Sequence, residues 1–276
     1  MKIRRAAVAG RFYPGTEKEI RRQLSVILQE ERAFIDVSLA EKNILGAVLP
    51  HAGYMFSAYQ AIHFFEILKN SKQHFDTFII INPNHTGYGP EIALDDNNAW
   101  ESPLGKVEID KEFYDLLDYP KSSEAHKFEH SGEVMLPLLQ YFIDYPFKIV
   151  PITLSRQNPE NAKELAKSIV KANKILNKKV SLIASSDFSH FVEPEEGKKL
   201  DKFVINEILN FNSEGVYKEV REKSISVCGY GPIMTLIEYS KLISDSPKNK
   251  ILKIGHSGEI IPSNEVVDYV SILIYE

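Results

Sequence analysis

Short runs of aliphatic residues without polar alternation recur along the chain, and three of them stop at polar tips. Ile44, Leu45, Gly46, Ala47, Val48 and Leu49 lead into Pro50, His51, Ala52, Gly53 and Tyr54. Phe78, Ile79, Ile80 and Ile81 lead into Asn82, Pro83, Asn84 and His85, and Val180, Ser181, Leu182, Ile183 and Ala184 lead into Ser185, Ser186, Asp187, Phe188, Ser189 and His190. Such runs predict strands covered on both faces, as in a parallel sheet packed by helices. Ligands of open α/β sheets bind outside the carboxyl ends of the strands, so the three tips are expected to share one crevice.

Helical periodicity fills the intervals. Thr16 with Glu19 forms a capping box, and Ile20, Leu24, Ile27 and Leu28 behind it define one apolar face, expected to pack on the sheet. The segment from Phe56 to Lys69, His63 included, is apolar nearly all round and predicts a deeply buried crossover helix. From Gly87 to Glu101 the chain reads as a long irregular connection holding the only tryptophan, Trp100, and hence as a candidate pocket wall. Val107 and Ile109 alternate after it, a short helix is read over 112–119, and a strand over 147–154. Asn158 before Pro159 opens a helix with Leu165, Ile169 and Ala172 or Ile175 inward. A further helix runs from Pro194 to Asn210 with Leu200, Phe203, Val204 and Ile208 inward, another follows Pro232 through Ile243, and 251–254 with 266–275 read as a strand pair. The expectation is a single α/β domain over 1–276, three-layered, with a mainly parallel mixed sheet and helices on both faces.

Composition narrows the partners. A chain of 276 residues, 43% apolar, can bury an ordinary globular core, and a net charge of −5 offers no basic face for nucleic acid or anionic lipid. No run approaches a membrane span, and the apolar stretch behind Lys2, Arg4 and Arg5 is too short for a signal-peptide core. The single cysteine, Cys228, excludes an intramolecular disulfide and suits a reducing cytoplasm. No glycine-rich phosphate loop follows a strand, so no nucleotide site of that kind is expected.

Histidines at strand ends can present a neutral ring nitrogen to a transition metal, or simply shape a turn. Two of them, His51 and His85, beside a third tip with Asp187 and His190, favour the metal reading. Asp187 and His190 suit proton transfer or support of a metal ligand. Cys228 precedes a helix start marked by Gly231 and Pro232, where the helix dipole would favour the thiolate; ligand, nucleophile and small buried residue all remain open. Ser186 and Ser189 lack a nucleophile elbow. His126, Glu129 and His130 formally match an inverted zinc-peptidase pattern, but Ser131, Gly132 and Pro137 interrupt the helix that pattern requires, and His130 reads better as a loop-borne pocket residue. His63, His74 and His256 read as structural.

Six separated motifs resemble the Memo family, whose prokaryotic members are also called AmmeMemoRadiSam system protein B. They are Ala9, Gly10, Arg11, Phe12, Tyr13, Pro14; Pro50, His51, Ala52, Gly53, Tyr54; Asn84, His85; Glu129, His130, Ser131 with Glu133, Leu136 and Pro137; Ser185 to His190; and Cys228, Gly229 with Pro232. The resemblance implies a fold like that of class III extradiol ring-cleaving dioxygenases and a metal held by His51, His85 and Cys228. The dioxygenases use two histidines and a glutamate for iron, so a thiolate here departs from them. Two imidazoles and a thiolate suit Fe(II), the favoured ion, and also copper or zinc. Asp187, His190 and His130 would then handle protons in redox or oxygen chemistry on a small molecule or modified side chain. The alternative is an adaptor that keeps the pocket to hold a metal or a peptide. The family's co-naming implies a functional link to radical-SAM and AMMECR-type proteins.

Overall fold

The computed structural model describes residues 2–276. Its first half contains β1 (Ile3–Arg4), α1 (Glu17–Glu31), β2 (Ile44–Leu49), α2 (Tyr54–Asn70), β3 (Thr77–Pro83), β4 (Ile92–Leu94), β5 (Ala99–Ser102), β6 (Gly105–Glu108), α3 (Lys111–Leu116), α4 (Ser123–Lys127) and α5 (Met135–Phe142). There follow β7 (Lys148–Leu154), α6 (Pro159–Leu176), β8 (Val180–Ser185), β9 (His190–Val192), α7 (Pro194–Leu209), α8 (Ser213–Glu222), α9 (Tyr230–Ile243), β10 (Lys248–His256) and β11 (Val266–Tyr275).

An eight-stranded sheet runs in the order β10-β11-β2-β8-β3-β7-β4, with β9 attached to β11. Its centre, β2, β8, β3 and β7, is parallel, while β11 and β10 on one side and β4 on the other are antiparallel. Every residue of β2, β3 and β8 is buried, which is why these strands read as unbroken apolar runs. Helices flank the sheet: α2 packs on β2, β10 and β11, and α9 packs on β2, β8 and β3, with α6 behind it. Among the described residues, no helix is long and apolar enough to cross a membrane.

Three expectations need correction. Helix α1 packs on α2 rather than on the sheet, because α2 is apolar on its outer side as well and α1 covers it. The stretch after Gly87 is not one irregular loop, although its Tyr88 and Asn97 do line a cavity together with Arg4 and Phe128. It supplies β4 to the edge of the large sheet and β5 to a separate three-stranded sheet, β1-β5-β6, and Trp100 lies buried with its indole N–H donating to Asp95 and the Arg4 guanidinium over its ring. Strands this short, interrupted by Asp and Asn, leave no periodicity to read. Phe203 is exposed rather than inward, with the Lys223 ammonium 4.6 Å from its ring centroid; of Ala172 and Ile175, Ala172 is the inward one.

Candidate metal centre

The carboxyl ends of β2, β8 and β3, three neighbours in the sheet, deliver the expected residues together. His51 follows β2, His85 follows β3 and Asp187 follows β8, while Cys228 arrives just ahead of α9 and His130 on the loop before α5. Ring centroids of His51 and His85 are 5.3 Å apart, and those of His51 and His130 are 5.4 Å apart. One donor atom each from His51, His85 and Cys228 lies within 4.8 Å of the other two.

Hydrogen-bond arithmetic assigns the tautomers. The Ser185 hydroxyl donates to the Ser131 carbonyl at 2.7 Å, so its oxygen accepts from His51 Nδ1–H at 2.8 Å. That leaves His51 Nε2 with its lone pair, 3.2 Å from Cys228 Sγ. His85 Nδ1–H donates to Glu129 Oε1 at 2.9 Å, and His190 Nδ1–H to the Ser226 carbonyl at 2.8 Å, so in the neutral tautomer of each ring Nε2 is the nitrogen that carries the lone pair. A histidine oriented through one nitrogen and free at the other is the arrangement a metal ligand requires. His190 stands half-buried at the rim, on the same sheet edge.

Burial governs the charge states. It pushes His51 well below the ordinary histidine range, helped by the facing His130, His85 and His190, and it pulls His130 down to about 4. The Cys228 thiol goes the other way, raised well above its usual value by burial and then by the Asp187 carboxylate. This corrects the expectation of a thiolate favoured by the helix N-terminus, because desolvation outweighs the dipole. Without a cation beside it Cys228 is a neutral thiol and a poor nucleophile. Asp187 is also buried; burial lifts its carboxyl to about 6 although the His51 N–H donates to Oδ1 at 2.7 Å, and Oδ2 lies 3.9 Å from His51 Nε2. For Glu129 burial opposes the charge, yet hydrogen bonds from His85 and Ser131 hold it at about 2.

The loops that carry these groups have local causes. Asn84 Oδ1 accepts from the backbone of Thr86 and Gly87, folding the turn that presents His85. Gly229 lets the Cys228 segment lie against β8: a Cβ there would meet the Ser185 carbonyl at 2.2 Å. Gln157 ties the same turn from both sides, donating to the Cys228 carbonyl and accepting from Gly231 N–H. His126 is turned away, its Nε2 bonded to the Ala93 carbonyl at 3.0 Å, so the inverted peptidase pattern does not assemble. A cavity of about 820 Å³ lined by Asp76, Asp110 and Lys178 lies at the amino edge of the sheet, remote from these donors. Residue reasoning did not assign the supporting roles of Ser185, Glu129 and Gln157. Glu129 had a usable signal, since it adjoins His130 in sequence; Gln157 had none.

The family profile described as Memo-like protein matches residues 4–273. The chain is 38% identical over 278 residues to a MEMO1 family protein of Methanosarcina mazei, covering 99% of this chain and 100% of that one. It is 38% identical over 287 residues to one from Methanobrevibacter smithii, covering 98% of each. Against Sulfurisphaera tokodaii the identity is 37% over 284 residues, again with 98% of each covered. A crystal structure of uncharacterized protein JW3007 from Escherichia coli K12 aligns with a TM-score of 0.48 and 10% identity, covering 76% of this chain and 91% of that one.

Proposed function

Since the chain belongs to the Memo-like protein family, we propose that it holds one transition-metal ion through His51, His85 and Cys228 and carries out redox or oxygen chemistry on a small molecule or modified side chain. The observation that supports this reading is the convergence of two imidazole nitrogens and a half-buried thiol, each from a separate sheet-edge segment, within 4.8 Å. The donors fit a borderline-to-soft ion: Fe(II), which we favour, or copper or zinc. Three protein donors leave an open position, as in a catalytic rather than a closed structural site. Bound there, the ion would supply electron transfer or activation of a ligand in that position.

The surrounding residues have separable tasks. Ser185 orients His51 and Glu129 orients His85. Asp187, beside His51 and Cys228, and His190, whose Nε2 is unengaged by Ser226, would take or return protons, with His130 a third carrier. With 34% of its side chain accessible, His85 marks where a substrate can reach the site.

Metal analysis of protein purified without oxygen tests the reading. Near-stoichiometric iron with an oxygen-dependent spectral change supports it. Stoichiometric copper inert to turnover would favour the adaptor alternative, and no metal at all would refute the metal reading and leave only a peptide-holding adaptor.

A further inference from the structure

Glu129 does more than receive one hydrogen bond from His85. Its Oε2 accepts the His85 backbone N–H at 2.5 Å, and its Oε1 accepts His85 Nδ1–H, the Ser131 N–H at 3.0 Å and the Ser131 hydroxyl at 2.7 Å. His130 Nδ1 lies 3.5 Å from the same Oε1. The carboxylate is 98% buried in its side chain and faces only donors, so any imidazole nitrogen directed at it has to carry its proton. The Phe12 ring, 4.5 Å from His130 at 38°, covers the imidazole and limits its rotation. Arg4 fixes the segment from behind, donating to the carbonyls of His126 and Glu129 and to the Glu133 carboxylate, and Glu133 also accepts from Ala7, Val8 and Tyr13.

We propose that Glu129 is a positioning residue for two histidines at once, holding both His85 and His130 as the Nδ1–H tautomer so that both Nε2 lone pairs face the crevice. This deepens the proposed metal site. It also gives a role to the Phe12 motif near the N-terminus, which packs on His130 rather than on the expected ligands. His85, Glu129 and His130 also have donor atoms within 4.8 Å of one another, as a second metal group would. That closeness follows from the His85 hydrogen bond and the 3.5 Å approach of His130 to the same oxygen: the carboxylate already accepts two backbone N–H groups and has no reason to leave them.

Replacing Glu129 with Gln tests the assignment with little change in volume. Each oxygen accepts a backbone N–H, Oε2 from His85 at 2.5 Å and Oε1 from Ser131 at 3.0 Å; the shorter contact is the costlier one to oppose, which directs the amide nitrogen to the Oε1 side, facing the rings. There it donates, and a ring nitrogen can meet it only by giving up its proton and moving it to Nε2. Long-range ¹H–¹⁵N correlation spectra of metal-free protein, assigned with His85→Asn and His130→Asn, read the tautomers directly. The wild type is expected to show unprotonated Nε2 for both residues, and Glu129→Gln to move His85 to the Nε2–H form. Cobalt(II) titration of the Gln variant should then show affinity lower by roughly 10- to 100-fold, with the thiolate-to-cobalt band of Cys228 kept. Unchanged tautomers in Glu129→Gln, or a protonated Nε2 on either histidine in the wild type, would overturn the proposal. The wild-type spectrum decides even if the Gln variant does not fold. Absence of cobalt binding by the wild type would defeat the metal reading while leaving the tautomer result to stand on its own.

Discussion

Two histidine–glutamate pairs with nearly the same geometry stand in different surroundings, His63–Glu31 buried on both sides and His85–Glu129 buried only at its carboxylate. His63 Nε2 meets Glu31 Oε2 at 2.8 Å between α2 and α1, and His85 Nδ1 meets Glu129 Oε1 at 2.9 Å at the sheet edge. Around Glu31 the charge is closed off: the Lys253 ammonium reaches both carboxylate oxygens, at 2.6 and 2.7 Å, and fastens β10 to α1. Around Glu129, among the described residues, no lysine or arginine reaches the carboxylate, which accepts from backbone N–H groups, the Ser131 hydroxyl and the His85 ring, and the histidine turns its other nitrogen toward a thiol and two further imidazoles. The pair itself therefore says little about function. What matters is whether the second ring nitrogen is left facing an accessible space lined with other donors.

The largest expected effect separates the two regions by metal binding. Cys228→Ser should lower metal affinity by more than the roughly 10- to 100-fold typical of losing an outer partner, while changing metal-free stability by less than about 1 kcal/mol. Metal titration beside urea denaturation measures both. A variant with full metal occupancy would remove Cys228 from the ligand set and leave Asp187 as the nearest replacement.

Lys253→Ala should do the reverse. Removing one partner of a buried pair leaves Glu31 under-compensated, and because Lys253 is partly exposed the expected loss is about 2–3 kcal/mol, below the full range for buried pairs. Metal stoichiometry should be unchanged. If Lys253→Ala altered metal binding instead, the contrast between a closed and an open pair would fail.

Proton linkage sharpens the comparison further. Asp201 and Asp268 form a buried carboxyl pair beneath the loop between β8 and β9. Asp201 accepts from the Ser189 N–H and hydroxyl, and the Asp268 backbone pairs with Phe188 and Ser189. Burial raises both carboxyls, and Asp201 beside it takes Asp268 further, to about 8. The folded state therefore binds a proton more tightly than the unfolded chain, and stability falls as pH rises above the ordinary carboxyl range toward 8. His63, lowered by burial, has the opposite sign: its contribution is present above the ordinary histidine range and is lost as pH falls through it. Asp268→Asn should flatten the alkaline side of a stability-versus-pH curve and leave the acid side in place. An unchanged alkaline side would mean that the pair shares no proton.

The smallest expected effect concerns strain, found beside the site and not around Glu31. Phe191 has φ of 56° at an irregular position in the pairing of β9 with β11, and it is 73% exposed. An aromatic residue in the left-handed region costs about 1 kcal/mol or more, with little burial to offset it. Phe191→Gly should therefore raise the thermal midpoint by a few degrees, corresponding to about 1 kcal/mol. A lowered midpoint would show that the ring makes stabilising contacts despite its exposure.

Much of this organisation is local and so was legible in the chain itself. Fully buried parallel strands announce themselves as unbroken apolar runs, as in β2, β3 and β8, and side-chain caps at Thr16 and Asn158 mark where α1 and α6 begin. Because parallel strands place their ends on one edge, the meeting of His51, His85 and Asp187 followed from three runs and one topological rule. Tertiary structure alone decided the rest. The small β1-β5-β6 sheet joins strands too short to carry a period, and α1 lies on α2 because α2 has a second apolar side to cover. The charge of Cys228 depends on burial by segments distant in sequence, which overrides the helix dipole that its neighbours suggested. Likewise the tautomers of His51 and His85 were set by Ser185 and Glu129, residues distant in sequence from the rings they orient. Periodicity and capping act over a few residues, whereas desolvation and hydrogen-bond satisfaction depend on everything within a few ångströms.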